Sequence, residues 1–127
     1  MKYHSFDDVT AQDMANNLLN VVPYEKGFFW WGGIGISTEH TAWLNLINHI
    51  DAPLSGSCSQ NSKAVSEQIG GQIFSDCWGY LALDKPDIAI SLVEKMSSVT
   101  HDLDGIEGGK FVAVCIALAW HIQDARE

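Results

Sequence analysis

The ten residues from Thr100 to Gly109 hold the densest set of chemically reactive groups in the chain: one histidine, three carboxylates and three glycines. Carboxylate oxygens are ligands for hard cations, and an imidazole such as His101 binds phosphate or exchanges a proton near neutral pH. Glycines let a backbone approach a ligand closely. The same residues also fit a purely structural role, in which Asp102 or Asp104 caps the next helix and the glycines form the turn.

A second candidate is the run of small polar residues from Ser55 to Ser62, which leads into a predicted helix. The unpaired amides and the dipole at the start of a helix bind anions, and Lys63 is the nearest cation. A plain N-cap segment has the same composition. The run therefore predicts either an anion site or a helix entry.

Two acidic pairs suggest weaker candidates. Asp7 and Asp8, followed by Thr10, resemble a paired-carboxylate metal site, and they equally fit a helix entry with Thr10 as the N-cap. Glu39 and His40 resemble an acid and base pair, but a glutamate in the first turn of a helix is ordinary dipole chemistry.

Three further patterns carry no catalytic prediction. The glycines from Gly32 to Gly35 lack both a preceding strand and the spacing of a dinucleotide loop. The aromatic residues 28–31 are more typical of packing within a loop than of a ligand platform. The three cysteines have neither the pairing of a zinc site nor the setting of an activated thiol.

Composition narrows the function classes. A chain of 127 residues with 46% hydrophobic residues predicts a single globular domain over residues 1–127. The formal net charge of −9 disfavours nucleic acid and anionic membrane surfaces as partners. The unpaired cysteines and the absence of a long apolar run predict a cytoplasmic protein.

The elements that must position these residues are helices, because apolar residues recur at helical spacing and no segment alternates as a strand does. We expect about five helices in an all-α fold. The last is apolar on nearly every face, which predicts burial among neighbours that five helices cannot supply, and therefore a homo-oligomer or a complementing polypeptide. The predicted helices run from Thr10 to Pro23, from Ser37 or Thr38 to about His49, from near Gln60 to Trp78, from Pro86 to Thr100, and from about Glu107 to Trp120.

Three long blocks resemble consecutive parts of the ADP-ribosylglycohydrolase family, in its long, aromatic-rich branch: FFWWGGIGISTEHTAWLN, APLSGSCSQNSKAVSEQIGGQIFSDCWG and MSSVTHDLDGIEGGKFVAVCIALAW. The resemblance spans about residues 10 to 122 of the chain. It implies a partial orthogonal bundle of helices and the hydrolysis of a glycosidic bond to ADP-ribose. It also implies two magnesium ions in the full-length family, held by an early Asp-Asp-x-Thr motif and a late Asp-x-Asp-Thr motif.

The resemblance marks two segments as substrate contacts and assigns no catalytic residue. Ser62 stands where the family usually has a glycine. The residues implied to contact ADP-ribose or an ADP-ribosylated substrate are Gly56, Ser57, Gln60, Asn61, Ser62, Thr100, His101, Asp102, Asp104, Gly105, Gly108 and Gly109.

The family's metal motifs have no equivalent in this alignment. Asp7 to Thr10 lies too close to the first block to be the early motif, and the late motif would follow Glu127. We therefore expect an internal fragment of the family that binds no magnesium and is inactive alone. The alternatives are a non-catalytic helical module that binds ADP-ribose or protein, and one half of a split enzyme.

Overall fold

The computed structural model describes residues 5–27, 29–124 and 126. Residues 1–4 of the N-terminal segment and Phe28 of the aromatic loop lie outside these described residues. The described part of the chain is all-helical and contains no strand, as predicted. Its helices are α1 (Ala11–Val21), α2 (Thr38–Ile47), α3 (Lys63–Ser66), α4 (Gly70–Ile73), α5 (Asp76–Leu81), α6 (Pro86–Ser97) and α7 (Asp104–Ala119), with short 3-10 turns at Phe6–Asp8 and Leu54–Gly56.

Three of the predicted helices begin where their capping residues place them. Thr10 and Asp13 form a reciprocal capping box at the start of α1, and the Ser37 side chain accepts the backbone N–H of His40 at the start of α2. Pro86 occupies the first turn of α6. Local side-chain chemistry is sufficient to set these three boundaries.

The prediction of one continuous helix from Gln60 to Trp78 is wrong. The structure divides this segment into α3, α4 and α5, and α4 begins at the pair Gly70 and Gly71. Glycine is the least favourable helix residue after proline, and here the pair also allows a close approach to α7. A Cβ atom at Gly71 would lie 2.2 Å from the carbonyl oxygen of Gly105.

The long helix α7 is the centre of the packing. It contacts α4, α5 and α6, while α1 packs against α2 and α6. One apolar cluster joins α1, α2 and the end of α6, and a second lies between α6 and α7. The cluster residues are Ala15, Leu18, Val22, Leu46 and Val99 in the first, and Ala82, Ala89, Val93, Ala113 and Ala117 in the second.

The structure buries α7 on one face only, which corrects the expectation of burial on every side. Its buried residues are small and follow helical spacing: Gly105, Gly109, Ala113 and Ala117. Phe111 is 67% exposed. In the described residues, no helix has the length and apolar character that a bilayer crossing requires.

Candidate functional site

The two segments that the resemblance marks as substrate contacts lie side by side. The backbone N–H of Cys58 donates to Oδ2 of Asp102 at 2.9 Å, and the Ser55 hydroxyl donates to the carbonyl of Val99 at 2.7 Å. The backbones are in close contact as well, because a Cβ atom on Gly56 would lie 2.5 Å from the carbonyl carbon of Thr100. Tertiary structure thus joins two loops that are far apart in sequence.

The first loop is held by its own polar groups. The Asn45 side chain donates to Oδ1 of Asn61 at 2.8 Å, and the Asn61 side chain donates to the carbonyl of Ser55 at 3.0 Å. The Ser57 hydroxyl accepts the backbone N–H of Gln60 at 3.2 Å. Asn61 therefore shapes the turn, whereas Gln60 lies exposed on its surface.

Ser62 has the helix-entry role that the sequence offered as one alternative. Its side chain accepts the backbone N–H of Val65 and caps α3. Because α3 is only four residues long, its aligned peptide dipoles add up to little field at the N-terminus. The helix dipole therefore gives little support to the predicted anion site, and the N-cap alternative is confirmed for Ser62.

In the second loop, the capping role predicted for Asp102 or Asp104 is wrong. The N-cap position of α7 is Leu103, at φ 45°, and its own side chain makes no capping hydrogen bond. Asp102 instead bridges two backbones, because its Oδ1 accepts the N–H of Leu103 at 2.8 Å while Oδ2 binds Cys58. Asp104 is exposed, and its backbone N–H points to Glu67 Oε1 at 3.4 Å.

The glycines of this segment form no turn, contrary to the structural alternative, because all three lie inside α7. A Cβ atom on Gly105 would lie 2.8 Å from the carbonyl oxygen of Ser66, and one on Gly109 would lie 2.5 Å from that of Gly71. Gly105 and Gly109 are therefore the points at which neighbouring backbone crosses α7 most closely. Gly108 has ordinary contacts with Gln72.

A cavity of about 590 Å³ lies beside these loops, between α1, α4, α5 and the end of α6. Of the predicted site residues, only Thr100 and His101 line it. Its walls are mainly apolar, and its size is typical of small-molecule pockets. The aromatic wall residues are Phe29, Phe74 and Trp78.

Glu39 and His101 both line this cavity and lie close to Gly70. A Cβ atom on Gly70 would lie 2.2 Å from Oε1 of Glu39 and 2.9 Å from Nε2 of His101, so both groups pack tightly against the backbone of Gly70. Both side chains are buried, at 5% and 2% exposure. Nε2 of His101 has no hydrogen-bond partner among the residues that the structure describes, whereas Nδ1 lies 2.7 Å from the Thr100 hydroxyl.

Burial shifts both groups toward their neutral forms. Desolvation lowers the pKa of His101 from 6.5 to about 4. It also raises the pKa of Glu39, against the lowering effect of hydrogen bonds from its own backbone and from Ser37. At neutral pH His101 is therefore an uncharged imidazole, able to donate or accept one hydrogen bond at the cavity.

The sequence pairing of Glu39 with His40 does not form an acid and base pair. The His40 ring accepts the backbone N–H of Gly33 at 3.1 Å and lies 3.2 Å from the Tyr24 hydroxyl. It packs against the rings of Tyr24 and Trp31 within the aromatic loop, in edge-on contacts. His40 thus fixes the loop, and Glu39 shares the cavity with His101 instead.

Magnesium, which the family resemblance implies, has no fitting donor set in the described residues. No group of three or more histidine, cysteine, aspartate or glutamate side chains is placed there to hold a metal ion. Asp7 and Asp8 lie in the 3-10 turn before α1, where the Asp8 carboxylate accepts the backbone N–H of Ser5 at 3.0 Å. This is the helix entry that the sequence offered as the alternative.

Comparisons with protein-family models, with curated proteins and with solved structures found no significant match to this chain.

Proposed function

We propose that this chain is an ADP-ribosylglycohydrolase-type helical module that binds ADP-ribose without hydrolysing it. One observation carries the proposal: the hydrogen bond between Cys58 and Asp102 joins the two segments that the resemblance marks as substrate contacts. Residues that contact one ligand must share one surface, and these two segments do so although 44 positions separate the bonded pair.

The shared surface offers groups suited to a sugar nucleotide. Gln60 and Ser62 are exposed beside Lys63, whose side chain is 70% exposed and lies 3.6 Å from Glu67. Amide and hydroxyl groups hydrogen-bond ribose hydroxyls and phosphate oxygens, and the ammonium group of Lys63 attracts a diphosphate. Lys63 can leave its exposed ion pair at little cost, because such pairs contribute little stability.

Cleavage is left out of the proposal because its chemistry needs groups that these residues do not supply. Two-metal hydrolysis uses cations to orient the substrate and to activate a water molecule. The described residues hold no fitting set of oxygen ligands. We therefore infer affinity for ADP-ribose without turnover.

Isothermal titration of the chain with ADP-ribose, with and without magnesium, tests this proposal together with an assay for release of ADP-ribose from a modified protein. We expect binding that magnesium does not change, and no release. The variants Gln60→Ala and Lys63→Ala should each weaken binding about threefold to tenfold, whereas Lys85→Ala, at an exposed position before α6, should not. Absence of binding, or turnover that depends on magnesium, would overturn the proposal.

A second candidate function is a non-catalytic protein-interaction module, with a second copy of this chain as the partner. The observation that favours it is the exposed apolar side of α7, where Phe111 and Leu118 are 67% and 43% exposed and Trp120 follows at 67%. Exposed apolar residues on one side of a helix are typical of association surfaces. Light scattering after size exclusion tests it: Phe111→Ser should convert a dimer into a monomer, and a monomeric wild type would exclude it.

A further inference from the structure

The ionisable groups that line the cavity are mainly acidic. They are Glu39, His101, Asp76 and Cys77, and the described residues of the lining include no lysine or arginine. His101 is neutral at pH 7, because burial lowers its pKa to about 4. Among the described lining residues, the groups that can carry a formal charge at pH 7 are therefore carboxylates.

The groups that line the cavity differ in exposure. Glu39 and His101 are buried and both pack against Gly70, whereas Asp76 and Cys77 are exposed. Phe29, Phe74 and Trp78 are the aromatic residues of the lining. A ligand that fills the cavity therefore meets both aromatic rings and buried polar groups.

One buried group of the lining lacks a partner. Nε2 of His101 is buried and has no hydrogen-bond partner within the described part of the chain, and His101 is one of the residues that line the cavity. A buried polar atom without a partner costs free energy, which a ligand can recover by hydrogen-bonding to it. Glu39 also lines the cavity, and its Oε1 lies with Nε2 of His101 against the backbone of Gly70.

The structure assigns this cavity as a binding site for an organic cation with an apolar or aromatic body, whose ammonium or guanidinium group contacts Glu39 and His101. A cation is favoured over a neutral group because it pairs with the carboxylate and donates to the neutral imidazole. Aromatic walls add attraction for a positive charge. The assignment goes beyond the proposed binding of ADP-ribose, whose diphosphate the same carboxylates would repel.

Three probes that share one ring system test the charge preference. They are tryptamine, a cation at pH 7; tryptophol, its neutral analogue; and indole-3-acetate, an anion. Isothermal titration of the wild-type chain should give affinities in the order tryptamine, tryptophol, indole-3-acetate, with tryptamine about tenfold tighter than tryptophol. Equal affinities, tightest binding of the anion, or no binding of any probe would overturn the assignment.

The role of the carboxylate is tested by Glu39→Gln, with Asp51→Asn as the control. Both variants remove one negative charge, but Asp51 is exposed and does not line the cavity. Glu39→Gln should abolish the advantage of tryptamine over tryptophol, and Asp51→Asn should preserve it. Retention of the full advantage in Glu39→Gln would overturn the assignment.

A measurement on the wild type alone keeps the test independent of that variant's folding. A bound cation favours the ionised form of Glu39, whose pKa burial raises above 4.5. Tryptamine affinity should therefore increase as the pH rises above 4.5, with proton release seen as a dependence of the binding heat on buffer ionisation. The other ionisable groups facing the cavity are His101, Asp76 and Cys77. Binding without pH dependence and without proton release would contradict contact with Glu39.

ADP-ribose serves as a competitor that separates this inference from the proposed function. If the two sites are distinct, ADP-ribose should leave tryptamine affinity unchanged. Complete displacement of tryptamine by ADP-ribose would place both ligands in one site and overturn the assignment of the cavity to a cation.

Discussion

Glu39 at the start of α2 and His101 before α7 both pack against Gly70, where an added Cβ atom would lie 2.2 Å from the Glu39 Oε1 and 2.9 Å from the His101 Nε2. Burial acts on the two groups in opposite directions, because it raises the pKa of the carboxyl and lowers that of the imidazole. Their contributions to stability therefore have opposite pH dependence, which two variants can separate.

His101→Asn should make the protein less sensitive to acid. In the unfolded chain this histidine takes up a proton near pH 6.5, but in the folded chain only near pH 4. Between these values the unfolded state holds more protons, so the free energy of unfolding decreases as the pH falls. Urea unfolding measures how far the free energy of unfolding decreases from pH 7 to pH 4. This decrease should be about 2–3 kcal/mol smaller in His101→Asn than in the wild type. An unchanged difference would contradict burial of a neutral imidazole.

Glu39→Gln should show the reverse behaviour. A raised pKa means that the folded state holds its proton more tightly, so the stability this group contributes is full below pH 4.5 and is lost as the pH rises through the raised value. The free energy of unfolding of Glu39→Gln, taken relative to the wild type at the same pH, should therefore be higher at pH 7 than at pH 4. Urea unfolding of both proteins at pH 7 and at pH 4 measures this effect. The same difference between variant and wild type at the two pH values would show that the pKa of Glu39 is not raised.

Asp102→Ala should destabilise the fold more than Asp104→Ala. The first removes the acceptor of two backbone N–H groups and separates the two loops, which should cost about 1–2 kcal/mol. The second removes an exposed carboxylate at the start of α7, which should cost less than about 1 kcal/mol through the helix dipole. Thermal unfolding compares the pair, and equal losses would mean that the link between Cys58 and Asp102 contributes nothing.

Adjacent glycines in α7 should respond to alanine with opposite signs. A Cβ atom on Gly109 would lie 2.5 Å from the Gly71 carbonyl oxygen, so Gly109→Ala should cost about 1–3 kcal/mol by forcing α4 away. At Gly108 the nearest atom would be 3.6 Å away, and Gly108→Ala should gain about 0.5–1 kcal/mol from helix propensity. Stabilisation by both changes would contradict the close crossing of α4 and α7.

The amino-acid sequence by itself determined the helical class and three of the helix starts. Thr10 with Asp13, Ser37, and Pro86 act on backbone groups within one turn of themselves, so their effects are visible without the rest of the fold. The densest reactive segments could also be found from composition. Their roles could not, because a carboxylate such as Asp102 looks the same in sequence whether it binds a ligand, caps a helix or holds a distant loop.

Only the tertiary structure decided which groups share a site. Because Glu39 and His40 are adjacent in sequence, they resemble an acid and base pair. In the structure His40 packs into the aromatic loop, and Glu39 lies with His101 against Gly70. Gly70 leaves room for both side chains, and close approach of this kind depends on which elements cross and not on local propensity. Burial then shifted the pKa of both groups, because desolvation is a property of the surrounding protein and not of the residue type.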